Sequence, residues 1–221
     1  MKEFPILTLY WGFKPLSVEI RIDEIMKYFE ELYSAREWLI KRSRDILTLC
    51  RKAIASCLRE SSETTKYVNE LMSLFKEFKD YAMRYQDLYY SNFYHAIESE
   101  YIEAIEFCTI LREGRVLTHS ELGVSPQSYI MGLLDLIGEL KRYSLELIRR
   151  EKYSESVKVY DIAENIYNQL EDFVFAENLV PGLKRKLDVY RKVLDDWKEL
   201  LVDLISRERL RKLFEQVKQS R

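Results

Sequence analysis

A chain of 221 residues, 47% hydrophobic with a net charge of −2, can bury one sizeable core and is not disordered by composition. Six Gly and four Pro are few breakers for this length, so helices can run long, and no apolar run reaches the roughly 18 residues of a membrane span. Three Cys without a CxxC spacing, two His and no Gly-rich phosphate loop exclude a zinc framework, a disulfide scaffold, a Ser-His-Asp or Cys-His hydrolase and a common nucleotide fold. Cys50, Cys57 and Cys108 are read as small buried residues. The start of the chain, with Lys2, Glu3 and Pro5, reads as neither signal peptide nor anchor, and a cytoplasmic location is expected. Abundant Glu and Lys with few Asn and Gln lean towards a thermophile.

Residues 1–18, with Pro5, Gly12 and Pro15, form an expected irregular arm, aromatic at Phe4, Tyr10, Trp11 and Phe13. Residues 19–221 are expected to form one helical domain. The first helix is predicted from about Ile20 to Glu60, with Ile25, Phe29, Leu32, Trp38, Leu39, Ile46 and Leu49 on its apolar side. Its later half is basic. Between Arg36 and Arg59 stand seven Lys or Arg, offset only by Glu37 and Asp45. Such a helix offers a phosphate footprint through Lys41, Arg42, Arg44, Arg51 and Lys52, or is an ordinary solvated face.

Ser61 and Ser62 offer a stop, and a second helix is predicted from Glu63 to Arg84. A third, from Leu88 to Arg112, ends at Gly114. Arg115 to Pro126 is a connector with room for one helical turn. Ser125 and Pro126 then make an N-cap and first-turn pair for the next helix. Further helices are expected over Ser154–Ala176, over Pro181–Ile205, and from Arg207 to the end. The pattern predicts an all-α, single-domain bundle of about seven helices.

The third helix and the one after Pro126 each carry carboxylates one turn apart: Glu100 with Glu103, and Asp135 with Glu139. Around the third helix the apolar stripe runs through Ile97, Tyr101, Ala104, Cys108 and Leu111. Glu100 lies at its edge and Glu103 a little further round, whereas Glu98 and Glu106 point away. On the later helix the stripe is Tyr129, Leu133, Leu136, Leu140, Tyr143 and Leu147, flanked by Glu139 and, further round, Asp135. Gly132 and Gly138, poor helix formers within this stripe, are read as points of close helix approach. If the two helices pack, four carboxylates meet. Crowded carboxylates shift their pKa or hold a hard cation such as Mg²⁺, which points to metal-dependent phosphodiester chemistry. Spacing alone does not separate this from surface charge on a chain that is 33% charged.

The segment Ser125–Arg142, SPQSYIMGLLDLIGELKR, resembles the signature of the translin family. Pro126, Tyr129, Gly132, Asp135, Leu136, Gly138, Glu139, Leu140 and Arg142 match the pattern of translin-associated factor X, the catalytic type. The stretch Lys41–Ile54 resembles the family's basic helix around Ser43–Ile46, and Glu100–Phe107, EYIEAIEF, resembles its Glu-Tyr-Val-Glu-Ala motif. The likeness covers roughly residues 20 to 210, and the aromatic arm departs from it. It implies a Mg²⁺- or Mn²⁺-dependent endoribonuclease acting on single-stranded RNA inside a closed homo-oligomeric shell, such as an octamer, or in a hetero-oligomer with a translin subunit. The family's metal carboxylates map onto Glu100, Glu103, Asp135 and Glu139. Plain translin has an apolar residue where this chain has Asp135, which places the chain on the catalytic side. The alternatives are a non-catalytic subunit binding single-stranded RNA or DNA, and a helical scaffold whose acidic pairs are surface charge.

Overall fold

With few Gly and Pro to interrupt it, the chain forms long helices joined by short turns. The structure, a computed structural model, describes residues 20 and 22–219; the expected arm over residues 1–18 lies outside the described residues. Among the described residues all regular structure is helical: α1 (Asp23–Leu58), α2 (Thr64–Ala82), α3 (Gln86–Tyr89), α4 (Asn92–Glu113), α5 (His119–Leu122), α6 (Pro126–Arg149), α7 (Tyr153–Leu170), a 3-10 helix (Glu171–Ala176) and α8 (Leu183–Gln219). Six helices are long, and α3 and α5 are single turns. The expected all-α bundle is what forms.

Side-chain caps mark the starts of α4, α5 and α6. Ser91 accepts the Tyr94 N–H to open α4, and Gly114 closes it in the left-handed conformation at φ +68°. Thr118 and Glu121 form a reciprocal capping box around α5, the helical turn anticipated in the connector. Ser125 caps α6 and Pro126 occupies its first turn, as expected. Two expectations are corrected. Ser154–Ala176 is an α-helix only to Leu170 and tightens to 3-10 geometry beyond it. The expected break before Arg207 is absent: with no Gly or Pro there, the Ser206 hydroxyl folds back onto the Val202 carbonyl at 2.8 Å and α8 continues.

Contacts fix the helix directions. Along α4 and α6, His95 meets Ser128, Ile102 meets Gly132 and Phe107 meets Tyr143, so the two run parallel. Lys186, Tyr190 and Trp197 of α8 meet Asp135, Gly138 and Ser144 in rising order, so α8 is parallel as well. Trp38 with Tyr81 and Lys52 with Tyr67 make α2 antiparallel to α1. Tyr160 with Trp197 and Tyr167 with Arg191 make α7 antiparallel to α8. Trp197, fully buried, donates its indole N–H to Ser144 at 3.1 Å, and Ser144 bonds Ser156 at 2.6 Å, tying α6, α7 and α8 together.

The thiol expectation is corrected too. Cys57 of α1 and Cys108 of α4 form a disulfide with a Cα–Cα separation of 5.9 Å, while Cys50 is free and buried. Cys50 lies beside Glu100 and Glu103 and Cys57 meets Cys108, so α1 runs parallel to α4, and this packing, which linear spacing could not show, brings the two thiols together.

Gly132 is required by proximity. A Cβ there would lie 2.8 Å from Ile102 Cβ, Ile102 Cγ2 and the Ser99 carbonyl oxygen. At Gly138 the nearest atom, Tyr190 Oη, would be 3.6 Å away, an ordinary contact. Gly132→Ala is therefore expected to destabilise the fold by about 1–3 kcal/mol through overpacking. Gly138→Ala should be neutral or stabilising by up to about 1 kcal/mol from helix propensity. Thermal denaturation of both variants checks the pair, and equal melting temperatures would contradict the close-approach assignment.

Candidate metal centre

Parallel packing of α4 on α6 places Glu100 and Glu103 across from Asp135 and Glu139. Burial raises the Glu103 carboxyl to about 8, and Asp135, Glu100 and Glu139 add to the rise. Glu100, on the outer edge, is raised first by burial and then by Asp135, with a smaller push from Glu139. The four groups feel one another as a single field, as the two helical spacings predicted.

The surrounding cations come from elements that sequence reasoning did not connect to the cluster. Lys186 Nζ donates to Asp135 Oδ2 at 2.5 Å and to the Met131 carbonyl at 3.1 Å, and Tyr190 Oη donates to Asp135 Oδ1 at 3.2 Å. Lys186 opposes the rise at both Glu100 and Glu103, and Arg51 of α1 opposes it at Glu100. Glu139 pairs with Arg142 at 3.2 Å. A signal for Lys186 existed: it borders the buried seam Leu183, Leu187, Leu194 and Trp197 of α8.

The donor set fits a hard cation, since it consists of carboxylate oxygens close enough for Asp135 and Glu139 to act on Glu100 and Glu103. Among the described residues, however, no three His, Cys, Asp or Glu side chains form a ready cage. Two of the four are engaged by other side chains: Asp135 by Lys186 and Tyr190, and Glu139 by Arg142.

The basic residues of α1 divide by helical angle. Arg44 and Arg51 are exposed and lie seven residues apart, within about 20° of each other at 100° per residue, with exposed Lys41 about 60° away. This line flanks the carboxylates, through Arg51. Arg42 faces α2 instead, paired with Glu77 at 3.2 Å and Asp45 at 3.6 Å and lying over the Trp38 ring at 5.6 Å. Lys52 is exposed, with its ammonium 5.7 Å from the Tyr67 ring centroid. Tyr94 of α4 lies in the core and Tyr90 is exposed.

Glu98 and Glu106, expected to point away, are both fully buried at 0% exposure. The stripe argument assumed one solvated face, but α4 is enclosed by α1, α2 and α6. Glu98 accepts from Tyr94 Oη at 3.1 Å and from Ser125 Oγ at 2.7 Å. Burial alone would raise its pKa, but the hydrogen bonds from His95, Ser125 and Ser128 outweigh that and hold it low. His95 lies 2.9 Å from Ser128 Oγ, yet Ser128 is fully buried, so the Glu-His-Ser grouping braces the start of α6 and has no access to substrate. Burial pushes Glu106 up to about 7, against the lowering effect of the Leu117 N–H, which it accepts with both oxygens at 3.1 Å.

The translin family matches residues 34–208, and the chain belongs to that family. It is 27% identical over 226 residues to an uncharacterized protein of Methanocaldococcus jannaschii, covering 96% of this chain and 95% of the relative. AfC3PO, solved alone and in complex with duplex RNA, superposes with a TM-score of 0.75 at 28% identity, covering 83% of this chain and 96% of that one. The apo form of NeC3PO gives 0.72 at 26% identity over 84% of this chain and 98% of its own.

Glu103 carries a pH signature. Its proton is held more tightly in the folded chain than in the unfolded one. Its contribution to stability is therefore complete below the usual carboxylate value of 4.5 and is lost as pH rises through about 8. Metal-free wild type is expected to lose stability across that window faster than Glu103→Gln, which cannot ionise there. Urea unfolding at stepped pH measures the gap, and parallel profiles for the two proteins would remove the assigned shift.

Proposed function

We propose, for this member of the translin family, a metal-dependent endoribonuclease of the translin-associated factor X type that acts on single-stranded RNA. The observation that carries the reading is the merging of Glu100, Glu103, Asp135 and Glu139 into one electrostatic group beside the exposed Arg44–Arg51 line. The duplex RNA bound by AfC3PO, a structural relative, supports RNA as the ligand class.

In this reading the four carboxylates hold Mg²⁺ or Mn²⁺, directly or through water. A bound ion supplies a water of lowered pKa and neutralises charge on the phosphoryl oxygens. Because Glu100 and Glu103 hold protons more tightly than ordinary carboxylates, ion binding releases protons and strengthens with pH. Lys41, Arg44 and Arg51 track the RNA backbone without reading sequence, which positions the strand but does not select it. Arg42 and Lys52, engaged elsewhere, contribute less directly.

A closed homo-oligomer, or a hetero-oligomer with a translin subunit, suits the apolar stripes that this chain leaves open. These are Ile22, Ile25, Met26 and Phe29 at one end of α1, and Leu210, Leu213, Phe214 and Val217 at the end of α8. No described helix is long and apolar enough to cross a membrane, and we place the activity in the cytoplasm. The engagement of Asp135 by Lys186 favours a second reading, a non-catalytic subunit binding single-stranded RNA or DNA. Metal-dependent cleavage by the purified chain separates the two.

Asp135→Asn is expected to abolish cleavage of a labelled RNA while leaving RNA binding nearly intact, since it removes charge at constant volume. Wild-type rates in saturating Mg²⁺ would exclude the proposed centre. Replacing Lys41, Arg44 and Arg51 with Gln should weaken unrelated single-stranded RNAs alike. It should also lower the log–log salt slope by about 0.7 per lost phosphate contact. Fluorescence anisotropy at several salt concentrations reads both quantities, and an unchanged slope would return this face to ordinary surface charge.

A further inference from the structure

Four carboxylates in one field call for positive charge, and the chain brings its own. Lys186 lies 51 residues along the chain from Asp135 and reaches it from α8. Its two partners, Asp135 Oδ2 and the Met131 carbonyl, are both oxygens, the donor type a hard cation selects. Tyr190, one turn further along α8, takes the other oxygen of Asp135. One helix therefore engages both oxygens of a residue that the metal reading requires as a ligand. Together with the Glu139–Arg142 pair, this leaves two of the four carboxylates engaged by other side chains, and among the described residues no preformed cage is found.

The pair is also reachable. Lys186 and Asp135 keep 21% and 25% of their side-chain exposure, so an ion from solvent can approach and the ammonium has somewhere to go. The lysine stem is long and flexible, and its charge is a point charge on rotatable bonds, which exchanges more readily than a forked guanidinium. A single positive charge neutralises only part of the cluster. A divalent ion has twice the charge and accepts several oxygens at once, so it satisfies all four groups better than an ammonium does. The two cations cannot share Asp135 Oδ2 without facing each other at contact distance.

We propose that Lys186 is a positioning residue that acts as an exchangeable counter-cation. It holds Asp135 while the centre lacks metal and leaves Asp135 when a divalent cation enters. The inference rests on the metal reading given above and adds a consequence to it. It follows that Lys186 offsets part of the cluster's charge until an ion arrives, and that metal affinity is lower than four carboxylates alone would give, because each ion must displace Lys186.

The test titrates Mn²⁺ alone, followed by calorimetry, into the full chain as wild type and as Lys186→Met. The variant is expected to bind Mn²⁺ about two- to five-fold more tightly, the scale of one lost competing ion pair. Its melting temperature should lie below wild type without metal, and the gap should close at saturation. Equal or weaker Mn²⁺ binding by Lys186→Met overturns the exchange, because a lysine that merely supports the ligand would lose affinity when removed. A measurement on the wild type covers the case in which the variant does not fold. Acylation of Lys186 by an amine-reactive ester, read by peptide mass spectrometry, should be slow without metal and several-fold faster at saturating Mn²⁺. Unchanged protection of Lys186 at saturation overturns the proposal. Absence of Mn²⁺ binding by both proteins overturns the metal reading itself and the exchange with it, whereas identical binding by both removes the exchange alone.

Discussion

The contact on which the rest depends is the approach of α4 to α6 where Gly132 meets Ile102 and Ser99, at a distance that leaves no room for a Cβ. The two helices are consecutive long elements, yet they run parallel. A parallel pair cannot be joined by a tight turn, so the chain must travel back along the bundle before α6 begins. That return, from Gly114 to Ser125, is short and mostly non-helical, and its backbone groups need partners where it passes over the core. Glu106 takes the Leu117 N–H, Tyr129 Oη donates to the Leu117 carbonyl at 2.6 Å, and Glu98 receives Ser125 at the far end. The two buried glutamates of α4 are thus the cost of its parallel topology, and they hold the return in place.

The same topology explains why the acidic cluster is shared between helices. Parallel helices in constant register bring equivalent turns side by side over several turns. Carboxylates one turn apart on each then face one another instead of meeting at a single crossing. Burial and like charge raise Glu103 to about 8, and α8 and α1 bring charge that opposes the rise, through Lys186 and, at Glu100, Arg51. A centre built this way is under electrostatic load before any ligand arrives. Its charge balance depends on helices distant in sequence.

Much of this was legible beforehand. Ser125–Pro126 announced the start of α6, Gly132 announced close packing, and the paired spacings put Glu100, Glu103, Asp135 and Glu139 on facing turns. What could not be read had a common cause: it depends on which helices are neighbours. Glu98 and Glu106 look solvated on a wheel that assumes one wet face, whereas α4 is surrounded. Lys186 looks like one of several surface cations until α8 is docked. Cys57 and Cys108 carry no spacing signal, because their pairing follows from two parallel helices in register. Arg42 differs from Arg44 only by angle, and the angle matters only once α2 and Glu77 are in place. The break expected before Arg207 failed for a local reason, since a serine alone does not end a helix that its side chain can join.

The Cys57–Cys108 bond has a consequence for how the molecule can come apart. It joins residues 51 positions apart and so closes a covalent ring that contains all of α2 and α3. Within that ring α2 can fray or detach from the bundle while the ends of α1 and α4 stay joined. Partial opening on the α2 side therefore need not separate the basic line of α1 from the carboxylates of α4. Subglobal unfolding is steered towards the hairpin arm and away from the centre, and slow amide exchange should persist longest beside the bridge.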